Sequence, residues 1–123
     1  MKERASERAA DLRECTKQFA VRIIRLYAAV PRERMAQVLA SQMLRSGTSV
    51  GAQYREARRA RSTAGFISKV SGALQELEET TYWFELLVEA SVVPAERMTA
   101  IRAEADELIR VFVASINTAR KRR

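Results

Sequence analysis

Histidine is absent from the 123 residues, and cysteine occurs once, as Cys15. Without imidazole the chain lacks the side chain most used for acid–base work near neutral pH. It also cannot build the Glu-x-x-His pairs of a di-iron helical bundle. Ser46 and Ser49 have no histidine to activate them and no Ser-x-x-Lys spacing around them, so they are not expected to be nucleophiles. A single cysteine rules out an intramolecular disulfide. Cys15 falls near the apolar side of the first predicted helix and is expected to be a small buried hydrophobe. No run approaches the ~18 consecutive apolar residues of a membrane span. The opening stretch MKERASERAADLRE is charged and polar, without an apolar run of signal-peptide length. The expectation is a soluble, cytoplasmic protein that is not an enzyme and carries no metal or cofactor.

Glycine and proline are also scarce, four and two residues respectively. Ala, Leu, Arg and Glu, all strong helix formers, are abundant instead. No segment alternates apolar and polar residues with period two, so the fold expected is all-α. The spacing predicts four helices, at about 3–30, 33–61, 63–90 and 94–120, in one domain spanning 1–123. Short connections near Pro31, Ser62 and Pro94 make this an antiparallel up-down-up-down bundle. Ala5, Ala9, Leu12, Phe19, Ile23, Leu26 and Val30 share one face of the first helix. Met98, Ile101, Ala105, Leu108, Phe112 and Ile116 form a heptad seam on the last. Ser62 or Thr63 can cap the third helix, and Pro94 suits the first turn of the fourth.

The second segment is unusually thin in the middle. Read as one helix, Met35, Val38, Leu39, Gln42, Ser46, Ser49, Val50, Gln53, Ala57 and Ala60 share a face. Along that face large apolar groups give way to Ser, Val, Gln and Ala, which would let a neighbouring helix approach closely or leave room for its bulky groups. Gly47 and Gly51 each weaken a helix by about 1 kcal/mol relative to Ala, so a kink is expected near them, and a break into two shorter helices around Gly47 is the alternative. The third segment carries Phe66, Ile67, Val70, Ala73, Leu74, Leu77, Thr81, Phe84 and Val88 on its first face. Its end, TYWFELLVEA, is apolar nearly all round. A helix apolar on every side is buried on every side, and a simple bundle leaves one side wet. Trp83, Leu86 and Leu87 are therefore expected to meet a second copy, with Glu76 and Glu79 beside them.

The formal charge is +7, from 22 Lys and Arg against 15 Asp and Glu. Such a balance favours anionic partners, nucleic acid foremost. Arg55, Arg58 and Arg59 project from one side of the second helix, opposite its apolar face, with Arg61 off to one side. Arginine offers paired donors to phosphate, although a charge run is also what a solvated face looks like. The terminal Arg120, Lys121, Arg122 and Arg123 suit the negative end of the last helix and can also bind polyanions by counterion release. Glu76, Glu78 and Glu79 are expected to pair with Arg45, Arg55 or Lys69 rather than to catalyse. Tyr82 and Trp83 are expected to pack at an interface rather than to stack on bases.

SQMLRSGTSVGAQYREARRARS (41–62) and FISKVSGALQELEETTYWFELL (66–87), with the helical pattern around them, resemble the bacterial proteins encoded in 23S rRNA intervening sequences. The resemblance implies a left-handed antiparallel bundle that assembles into a ring of five. A more distant branch holds the accessory proteins of diversity-generating retroelements, basic rings that bind a reverse transcriptase and its RNA. Gln53 stands where the family commonly has Asn, the same amide on a longer stem. The function expected is a non-enzymatic homo-oligomeric scaffold that binds nucleic acid, RNA more than DNA. The alternative is a protein-interaction module docking onto a reverse transcriptase or another nucleic-acid enzyme.

Overall fold

The computed structural model describes residues 2–122, with side chains from Asp11 to Arg122. Four helices account for nearly all of them: α1 (Lys2–Ala29), α2 (Arg34–Arg58), α3 (Thr63–Glu89) and α4 (Ala95–Lys121). No strand occurs among the described residues.

Each helix stops for an identifiable reason. α1 ends just ahead of Val30-Pro31, because the residue before a proline is pushed out of the α region. The turn is latched by side chains: the Tyr27 hydroxyl donates to Gln37 Oε1 at 3.0 Å, and the Gln37 amide donates to the Pro31 carbonyl at 3.0 Å. α2 ends at Arg58, three residues short of the predicted Arg61. The N–H groups of Arg59 and Ala60 turn back to the Glu56 and Ala57 carbonyls, each at 3.1 Å. These i to i+3 bonds tighten the last turn and close the helix. Ser62 is already extended and caps α3, its hydroxyl accepting from the Gly65 N–H at 3.0 Å. α3 closes through Ser91, whose φ of 60° is the left-handed conformation usually left to glycine. The N–H groups of Val92 and Val93 return to the Leu87 carbonyl there. Pro94 stands just outside α4, as its cap residue.

Cross-helix pairs set an antiparallel order. Lys69 reaches Glu56 and Thr80 reaches Ser46 between α2 and α3, while Gly47 lies against Ile23 and Gly51 against Thr16 between α1 and α2. α2 packs most closely on α3, then on α1, and α4 packs on α3. α1 and α4 hardly approach each other, and Arg22 spans their seam to Glu104 at 2.5 Å.

The core holds Leu12, Phe19, Ile23 and Val30 from α1 and its end, and all six predicted seam positions of α4. Ala5 and Ala9 lie outside the described side chains. On α2 the buried arc differs from the predicted face. Met35 and Val38 are 46% and 57% exposed, and Gln42 is exposed too. Ala36, Ala40, Met43, Gly47, Gly51 and Tyr54 are buried in their place. α2 is flanked by two helices, so its buried arc is centred between them, whereas the predicted face followed the α3 side alone. The Tyr54 ring crosses the core to Phe112, 5.8 Å away.

The thin middle of α2 is explained by its two neighbours. The helix runs unbroken through Gly47 and Gly51. A Cβ at Gly47 would lie 2.8 Å from Ile23 Cγ1, and one at Gly51 would lie 3.1 Å from Thr16 Oγ1. The two glycines, four residues apart, therefore let α1 lie directly against the α2 backbone. Ser46 faces α3 instead, where its hydroxyl meets that of Thr80 at 2.8 Å.

Candidate nucleic-acid interface

Arg55, Arg58 and Arg59 come together at the C-terminal end of α2. Arg55 and Arg58 are in its last turn, where the negative end of the helix dipole favours cations. With Arg13 of α1 and Glu56 they line one open depression of about 480 Å³. Glu56 is the acid within the group, and Lys69 of α3 answers it at 3.3 Å. Both partners are more than half exposed, so the pair adds little stability, ~0–1 kcal/mol at most. It does offset the one negative charge in a cluster of four arginines. Those four make no ion pair among the described residues.

Antiparallel order places the end of α4 at the same end of the bundle as the end of α2. Arg120, Lys121 and Arg122 are exposed there, and Arg123 lies outside the described residues. Arg61 is exposed in the connection after α2 and does not line the depression. Arg13 had no mark in the sequence. It joins the group only because Thr16, one turn further along α1, rests on Gly51 of α2. Glu14, beside Arg13, has its pKa lowered, first by a hydrogen bond from Gln18 and then by Lys17.

The residues expected to meet a second copy divide into three groups. Glu76 and Glu79 both pair with Arg45 of their own chain, Glu76 at 3.4 Å and Glu79 more closely. Leu87 is fully buried in the chain's own core and is not available to a second copy, contrary to expectation. The helical phase decides this: Leu87 follows Phe84, Thr80, Leu77 and Ala73 down the buried side of α3. Trp83 and Leu86 are half-buried, and Tyr82 beside them is exposed, its ring edge-on to Trp83 at 5.5 Å. By the Ser46–Thr80 register exposed Val38 falls level with Val88 and exposed Met35 with Ser91, past Trp83 and Leu86, and together they make an apolar flank toward the C-terminal end of α3. Within it the Trp83 Nε1–H is buried and has no acceptor.

Cys15 is exposed and not the buried hydrophobe expected. Its pKa is raised, first by desolvation and then by the carboxylates of Asp11, Glu104 and Glu14. The thiol therefore stays protonated near neutral pH and is a poor nucleophile. No described helix is long and apolar enough to cross a membrane.

Fold and basic end together define a four-helix protein with a cationic pole. The chain belongs to the family described as 23S rRNA-intervening sequence protein, which it matches over residues 9–114. It is similar to a crystal structure from Bacteroides thetaiotaomicron VPI-5482, described as a protein with unknown function from the S23 ribosomal protein family. Identity is 38%, over 89% of this chain and 97% of that one, and the TM-score is 0.83. No curated protein matches the chain.

Proposed function

We propose that the protein is a non-enzymatic, homo-oligomeric scaffold that binds nucleic acid, RNA in preference to DNA, through its basic end. The observation that carries this reading is the depression in which Arg13 joins Arg55, Arg58 and Arg59. Arginines from two helices, aimed at one open surface, suit an anionic backbone better than a scattered solvated face does. The formal charge of +7 and the α4 end support it by adding a field of the same sign. Several copies side by side would multiply that field.

Assembly is supported by the flank around Trp83. A buried indole N–H without an acceptor costs about 1–3 kcal/mol, and a second copy covering the flank would supply the missing oxygen. The family resemblance supports a ring of five as the form of that assembly. The same flank favours a second reading, in which another protein such as a reverse transcriptase occupies it and the bundle serves as an accessory subunit.

The test is retention of labelled RNA by the whole protein as salt is raised, beside its mass in solution. The proposal expects an oligomer whose RNA affinity falls steeply with salt, since each phosphate contact releases counterions. A monomer of ~14 kDa would contradict the scaffold. RNA binding that is absent at low salt would contradict the nucleic-acid reading and leave the accessory reading in place.

A further inference from the structure

The chain has one tryptophan, three tyrosines and four phenylalanines. Phe19, Phe84, Phe112 and Tyr54 are buried, and Tyr27, Phe66 and Trp83 are packed partly against the core. Tyr82 alone is exposed, at 53%, and it belongs to the apolar flank. It lies 13 residues along α3 from Lys69, the partner of Glu56 in the arginine depression, a distance of roughly 20 Å at ~1.5 Å per residue. The basic end therefore offers guanidinium and ammonium groups, and its one nearby aromatic ring, Phe66 in the first turn of α3, is half-buried against the core.

That composition selects among forms of RNA. Proteins that take single strands stack the unpaired bases on aromatic side chains, and sequence-specific readers of loops and bulges do the same. A double helix turns its bases inward and presents phosphates in a fixed array, so it is held by shape, by phosphate contacts and by 2′-hydroxyls. The depression is open to solvent, and its lining is four arginines with one paired glutamate. Arg120, Lys121 and Arg122 add exposed cations at the same end of the bundle, at the end of α4.

We propose that the basic end binds double-helical RNA along its phosphate backbone and does not read its sequence. This rests on the nucleic-acid reading above and narrows it to a form of RNA. The experiment is fluorescence anisotropy with the full chain at one fixed salt concentration. The probes are two unrelated RNA duplexes of about 20 base pairs and an unstructured single strand of the same length. The duplexes are expected to bind at least about tenfold more tightly than the single strand and within about threefold of each other. Changing Arg55, Arg58 and Arg59 together to Gln is expected to reduce duplex binding. A single strand that binds as well as the duplexes, through arginine stacking for instance, would overturn the duplex claim while the RNA reading stands. Duplexes that differ by more than about tenfold would overturn the claim that sequence is not read. Failure of all three probes to bind at low salt would overturn both readings.

Discussion

Gly47 and Gly72 are both helical glycines, yet replacing each with alanine should have opposite effects. A Cβ at Gly47 would lie 2.8 Å from Ile23 Cγ1 and 3.0 Å from two further atoms of that fully buried side chain. A β-branched residue held in a core has little freedom to move aside. The overlap costs about 1–3 kcal/mol, more than the ~1 kcal/mol of helix propensity gained. A Cβ at Gly72 would lie 2.3 Å from Gln53 Oε1, the far end of a flexible, half-buried side chain. That amide can swing away, and most of the ~1 kcal/mol is kept. Gly47→Ala is thus expected to lower Tm by several degrees and Gly72→Ala to raise it by a few, checked by thermal melts of the two variants. A Gly47→Ala protein that melts above its parent would contradict this account of the α1–α2 contact. The sequence pattern marked Gly47 as small without saying what it faces, and it did not mark Gly72. Gln53 shows the same limit: its amide rests over Gly72, a contact that depends on the register of α2 against α3.

Between α2 and α3 the decisive contact is a polar one inside the core. Thr80 donates its hydroxyl to the Glu76 carbonyl at 2.7 Å, which leaves Ser46 as the donor in the 2.8 Å bond between the two hydroxyls. Ser46→Ala removes one net hydrogen bond and is expected to cost about 1 kcal/mol. Ser46→Leu overfills a site with no free space and also leaves Thr80 facing an apolar group, so it should cost about 1–3 kcal/mol, more than the alanine change. Urea titrations of the two variants check the order, and a leucine variant as stable as the alanine one would contradict it. Much at this scale was legible beforehand. All six seam positions of α4 are buried, because a helix at the edge of a bundle has one dominant apolar stripe. The buried arc of α2 was misplaced, because a helix with two close neighbours spreads its contacts over small residues that carry no apolar signal. The early end of α2 was also hidden, since Arg59, Ala60 and Arg61 are good helix formers and only the capping of α3 by Ser62 stops them.

For the whole molecule, charge and apolar surface lie in different places. The basic end gathers the termini of α2 and α4, and the apolar flank runs along α2 and α3 around Trp83. Assembly through the flank would leave the basic ends free. Trp83→Ala removes the centre of that flank and is expected to weaken assembly, since assembly would bury a ring the single chain leaves half-buried and truncating a buried aromatic costs roughly 3–5 kcal/mol. Light scattering at micromolar concentration checks it, and a variant with the parent's mass and Tm would contradict the role given to Trp83. Legibility at this scale was uneven. The arginine run and the apolar end of α3 stood out in the sequence. The contribution of Arg13, the burial of Leu87 and the pairing of Glu76 and Glu79 with Arg45 depend on register between helices, which no local pattern encodes.

The central claim is that the arginines at the end of α2 bind nucleic acid and do not hold the fold. The most direct measurement is a salt titration of RNA affinity for the parent and for the protein with Arg55, Arg58 and Arg59 all changed to Gln, with helix content and mass recorded for both. The account predicts unchanged helix content and mass, since exposed charge changes stay within about 0.5 kcal/mol each. It also predicts weaker binding and a log–log salt slope shallower by up to ~3 per patch that touches phosphate. A triple variant that binds RNA as tightly as the parent, with the same slope, would contradict it.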